Sequence, residues 1–96
     1  MEKLVFMITF RVKEEHVEAF ETQLKLVKEE LPAVEGCNGV SVFRHSEEGT
    51  VFTLVEEWEG KVYHARHVDG LVAAGAWAEI ETMLEEAPNG RYMTRL

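Results

Sequence analysis

A single cysteine, Cys37, stands in the 96-residue sequence. With no second thiol there is no intrachain disulfide, and nothing points to an oxidising compartment. Basic residues are also scarce: 10 Lys and Arg face 18 Asp and Glu, a net charge of −8. Neutralising phosphates takes clustered cations, so neither nucleic acid nor an anionic membrane surface is an expected partner. No apolar run approaches the roughly 20 residues of a membrane span. The opening residues lack the basic-then-apolar order of a secretory signal. No linker, repeat or low-complexity tract divides the chain. The expectation is one acidic, cytoplasmic domain over residues 1–96.

What is present is ordinary for a folded domain, with 46% apolar and 29% charged residues. Leu4, Phe6, Ile8, Phe10 and Val12 share one side of a period-2 pattern, which predicts a strand whose other side carries Val5, Met7 and Thr9. Val17, Phe20, Leu24, Val27 and Leu31 recur at helical spacing, and Pro32 stops them, so a helix is expected over about residues 14–31. After the turn cluster Gly36-Cys37-Asn38-Gly39, residues 40–45 read as a second strand. The signal Glu47-Glu48-Gly49 turns the chain into a third, over 50–58. Residues 61–68 read as a short helix broken at Asp69-Gly70, and 71–86 as a longer one with Ala73, Trp77, Ile80 and Leu84 inward. Residues 91–96 read as a last strand.

The order βαββαβ, with right-handed crossovers, puts both helices on one face of an antiparallel sheet. That is an α+β, ferredoxin-like protomer. The uncovered face exposes Val5, Met7, Val51 and Val55, and an apolar patch of that kind implies a partner, most simply a second copy.

Certain motifs carry a resemblance. The first strand ends in Thr9-Phe10-Arg11-Val12-Lys13, a helix with Glu18-Ala19-Phe20 follows, and Val34-Glu35-Gly36-Cys37-Asn38-Gly39 precedes the second strand. Strand three ends in Glu56-Glu57-Trp58-Glu59, with His67 nine residues after the Trp. In these features the chain resembles the antibiotic biosynthesis monooxygenase family, and the likeness runs along essentially the whole chain. It implies a dimeric α/β barrel closed by two protomer sheets. It implies an activity among those of the family: cofactor-independent monooxygenation of quinols and polyketide-like aromatics, or haem degradation. The first strand here lacks the Asn of the haem-degrading members. The third lacks the Asn of the quinone-forming ones, and His64 stands six residues beyond Trp58 where their Tyr is sought.

His67 is the candidate catalytic base, because an imidazole near its ordinary pKa accepts a phenolic proton at neutral pH. The candidate substrate-binding residues are Trp58 and Phe52, to hold a flat ring, Arg66 or Tyr63, to steady an oxyanion, and His64 beside them. The alternative for Trp58 is core packing, with its indole N–H bonded locally. The alternative for Trp77 is the helix stripe. His64 and His67 at i,i+3, with acidic residues near, match a facial metal triad by a spacing that is common by chance, so no metal is expected. Cys37 has no adjacent His or Lys to activate it. The paired carboxylates Glu47-Glu48, Glu56-Glu57 and Glu85-Glu86 read as solvated.

The expected function is thus a monooxygenase that uses no cofactor and takes a small aromatic substrate, since a deprotonated substrate can itself reduce O2. Two rivals stand beside it. One is a haem-binding or haem-degrading protein with His67 as axial ligand. The other is a non-catalytic, dimeric small-ligand-binding protein.

Overall fold

The computed structural model describes residues 3–96. Four strands form one antiparallel sheet: β1 (Leu4–Arg11), β2 (Cys37–Arg44), β3 (Val51–Trp58) and β4 (Asn89–Met93), in the order β2-β3-β1-β4. Helix α1 (Val17–Glu30) connects β1 to β2, and α2 (Lys61–Ala73) with α3 (Ala76–Glu81) connects β3 to β4. The helices lie on one side of the sheet, in the ferredoxin-like α+β arrangement that the alternation implied. Among the described residues no helix is long and apolar enough to cross a membrane.

The register sets which residues face the helices. Phe10 pairs with Phe52, Ile8 with Leu54, Phe6 with Glu56 and Leu4 with Trp58. On the other side Phe6 pairs with Tyr92 of β4. Every second residue of these strands points to the same side, so Phe10, Phe52, Ile8 and Leu54 meet Phe20 and Leu24 of α1 in the core. Phe20 stands edge-on to Phe10 at 5.1 Å, the geometry that aromatic quadrupoles prefer. Val12 and Leu84 close the same end through an isolated bridge.

The structure departs from expectation at several boundaries. Residues 14–16 and 31–33 are single 3-10 turns flanking α1, so the helix proper is shorter than its apolar stripe. Strand β2 begins at Cys37, inside the expected turn, and a register shift between Cys37 and Gly39 absorbs one extra residue as a bulge. Asp69-Gly70 does not break α2, and the helix runs on to Ala73. A helical glycine costs only about 1 kcal/mol, whereas Gly75 at φ +79° adopts the left-handed conformation that ends a helix. Ala73, expected inward, is exposed. The last strand falls at 89–93 rather than 91–96.

On the uncovered face Val5, Met7 and Val55 are half-buried, and Phe43 of β2 is 54% exposed. Val51, expected there in solvent, is buried.

Candidate functional site

The sheet and helices do not close evenly. Between them lies a cavity of about 720 Å³, within the range of small-molecule sites. Its apolar wall includes Ile8, Leu24, Leu54, Trp77 and Ile80, and its polar groups include Glu56, His64, His67 and Tyr92. Helix α2 brings the two histidines to it. His64 and His67 are one turn apart and share a helix face. Both rings rest on Trp58, at centroid distances of 5.5 and 5.6 Å.

Glu56 and Trp58 follow the inward alternation of β3, so both side chains are taken under α2. Glu56 is 4% exposed, which corrects the reading of Glu56-Glu57 as a solvated pair. One member of such a dipeptide must face inward on a strand covered on one side. The buried carboxylate accepts the indole N–H of Trp58 at 2.8 Å. The same oxygen lies 3.7 Å from Nε2 of His64. On its other side, His64 Nδ1 lies 2.8 Å from the phenol oxygen of Tyr92. Phe6 stacks beneath this group, 4.1 Å from the His64 ring. The result is a buried polar chain, Trp58–Glu56–His64–Tyr92, that meets the cavity at Glu56, His64 and Tyr92.

Burial governs the protonation of these groups. It pushes His64 down to about 4, helped by the nearby His67, and it pushes His67 below its ordinary 6.5. Both imidazoles are therefore neutral at pH 7, and the contact between His64 and Glu56 is not an ion pair. Burial raises Glu56, opposed by the Trp58 hydrogen bond, and it raises Tyr92 with help from the Glu56 charge. A carboxylate facing Nε2 selects the His64 tautomer with its proton there. Nδ1 is then an acceptor, and the Tyr92 O–H donates to it.

The sequence candidates divide on this geometry. His64 and His67 line the cavity. Trp58 does not: it is 0% exposed, with its N–H taken by Glu56. It is the floor under both histidines rather than a wall against a ligand. Phe52 lies at the far end of the sheet in the aromatic cluster with Phe20, 5.4 Å away. Tyr63 packs over the turn before β2, where Gly36 has φ +87° and a Cβ would run into the Tyr63 ring. Arg66 is exposed, pairs with Glu35 at 3.2 Å and lies 5.8 Å over the Tyr63 ring. Trp77, weighed between stripe and pocket, both packs on the core and lines the cavity.

Two residues of the site had not been singled out by sequence, Glu56 and Tyr92. The signal for Glu56 was its place in the series Phe52, Leu54, Glu56, Trp58. For Tyr92 no local signal exists, because its link to His64 spans 28 residues. Cys37 is half-buried and its thiol is pushed up by burial, as suits an inert side chain. Among the described residues no three His, Cys, Asp or Glu side chains gather as a metal site.

Among curated proteins none matches the sequence. Solved structures match the fold over nearly its full length. A conserved protein from Methanosarcina mazei Go1 superposes with a TM-score of 0.85 at 21% identity, covering 100% of this chain and 95% of that one. A Nitrosomonas europaea protein grouped under the antibiotic biosynthesis monooxygenase name gives 0.87 at 18%, over 99% and 91%. PA3566 from Pseudomonas aeruginosa gives 0.85 at 20%, over 100% and 96%. At these identities the likeness is one of fold. The sequence model for antibiotic biosynthesis monooxygenase matches residues 4–71, a stretch that holds β1 through most of α2 with Glu56, Trp58, His64 and His67. The chain belongs to the antibiotic biosynthesis monooxygenase family.

Proposed function

We propose that the protein is a homodimeric, cofactor-independent monooxygenase that oxidises a small electron-rich aromatic, of quinol or anthrone type, in the cavity under α2. The observation that carries this reading is His67. Its imidazole lines the cavity, is neutral at pH 7 and has no side-chain hydrogen-bond partner among the described residues. Such a group accepts a proton from a bound phenol or activated C–H. The resulting anion gives electrons to O2 directly. One oxygen atom bonds to the substrate carbon and the other leaves as water, with both hydrogens of that water drawn from the substrate. All four electrons come from the substrate, so the balance needs no second reductant. Tyr92 gives its O–H to His64 and holds that ring in place beside His67, and the apolar wall excludes water. Trp58 serves by positioning both histidines.

Oxygen uptake on a naphthohydroquinone tests the reading. His67→Ala is expected to lower the rate about a hundred- to ten-thousand-fold near neutrality. In the unaltered protein the rate is expected to fall as pH drops below 6.5, because His67 accepts protons only while neutral and burial holds its pKa below that value. Uptake unaffected by the substitution would overturn His67 as the base. Ligand binding without uptake would leave the non-catalytic binding protein as the reading.

The dimer is supported by the uncovered sheet face, where Val5, Met7, Val55 and Phe43 form an apolar surface with no helix over it. Met7 pairs with Val55 across β1 and β3, so Met7→Glu with Val55→Glu puts charges at its centre. In sedimentation velocity at micromolar concentration the unaltered protein is expected as a dimer and the double variant as a monomer. A monomeric unaltered protein would overturn the assembly.

A further inference from the structure

We infer that the cavity selects uncharged hydroxyaromatics and rejects aromatics that carry a carboxylate, an inference that rests on the aromatic-binding reading above. Its basis is the charge of the lining. Carboxylates of Glu30, Asp69 and Glu79 stand on exposed stretches of the wall, and Glu56 is buried within. No lysine or arginine is among the lining residues. Of the cations close by in the fold, Arg66 pairs with Glu35, and Lys61 lies 5.0 Å over the ring of Tyr92 without itself lining the cavity.

A carboxylate entering this space gives up its water and finds no cation to replace it, a costly transfer. It also meets like charge across a partly desolvated gap, where charges act more strongly than in water. The net charge of −8 adds to the repulsion at a distance. A phenolic O–H meets the opposite situation. His67 accepts its proton, and the neighbouring His64 and Tyr92 carry no charge at pH 7.

The test is calorimetric titration at pH 7.5 and low salt with two ligands of one shape, 2-naphthol and 6-hydroxy-2-naphthoate. The naphthoate is expected to bind at least tenfold more weakly. The gap should narrow in Asp69→Asn/Glu79→Gln and at 0.5 M salt, where the charges are screened. Equal or tighter binding of the naphthoate would overturn the inference. So would a tenfold gap that ignores both the double variant and the salt. Naphthoate affinity that matches 2-naphthol and is lost in Lys61→Met would make Lys61 an anion anchor and also overturn it. If neither ligand binds, the aromatic reading fails and this inference falls with it.

Discussion

The two ends of the helix-facing side of the sheet are built by the same alternation and reach opposite results. At the end where β1 pairs Phe10 with Phe52, α1 sets Phe20 and Leu24 against the strands, and the side chains there are apolar, with Phe10, Phe20 and Leu24 also forming part of the cavity's apolar wall. At the end where β1 pairs Leu4 with Trp58, α2 supplies His64 and His67 instead, β3 supplies Glu56, and space remains beside them. The strands are alike, so the difference lies in the helices. An apolar stripe makes one end hydrophobic, and a helix with two histidines on its buried face makes the other polar, with the cavity lined from both. Packing sets stability at the first end, and burial sets protonation at the second.

The comparison breaks most visibly at the packed end. Phe52→Ala removes a ring that is almost wholly buried and is expected to cost about 3–5 kcal/mol. Chemical denaturation would record it, and a loss below about 1 kcal/mol would mean that this end is not the stabilising one. At the polar end the expected effect depends on pH. The unfolded chain protonates His64 near 6.5, whereas the native site resists until about 4. Stability is thus unaffected by this group above pH 6.5, declines as pH falls from there towards 4, and levels below. The loss is on the order of 3 kcal/mol at most. Glu56 acts with the opposite sign: its raised pKa lets the native form take a proton first, which offsets part of the decline. Denaturation midpoints at pH 7 and pH 4.5 should differ less in His64→Gln than in the unaltered protein. The smallest effect is that of Tyr92→Phe, which deprives His64 Nδ1 of its donor and is expected to cost about 1 kcal/mol. A fall in oxygen uptake much larger than that loss explains would mean that the Tyr92 O–H leaves His64 to meet the substrate oxygen. A variant with full uptake would confine Tyr92 to holding His64.

The packed end was the more legible in sequence, for a physical reason. Its residues repeat at the period of their own element, two for Phe10 and Phe52 and three to four for Phe20 and Leu24, so local spacing reports where they point. His64 and His67 were legible as a pair on one helix face, and His67 also through its distance from Trp58. Their partners were not. Glu56 was hidden by Glu57 beside it, because an acidic dipeptide reads as solvated unless the strand's facing is followed through it. Tyr92 enters only through the pairing of β4 with β1, a contact that no local period records. Gly70 and Gly75 make the same point for the backbone: the sequence places the break at Gly70, which lies inside α2, and the helix expected over 71–86 runs through Gly75, whose left-handed φ is what ends α2.

The sheet order has a consequence for how the molecule is made. Strand β1 is central and leaves the ribosome first among the strands, yet its partners are β3 and β4. Its register with Tyr92 and Met93 can form only after residue 93 has emerged. Until then one edge of β1 stays unpaired, held beside β3 while it waits, and such an edge is open to other chains. Contacts this distant in sequence also make folding slow. The packed end, built from α1, β1 and β3, also needs Leu84 to close it, so it is complete only shortly before β4 emerges. His64 acquires the phenol that fixes its tautomer in the final step, so the site takes its working form last, on a scaffold already assembled.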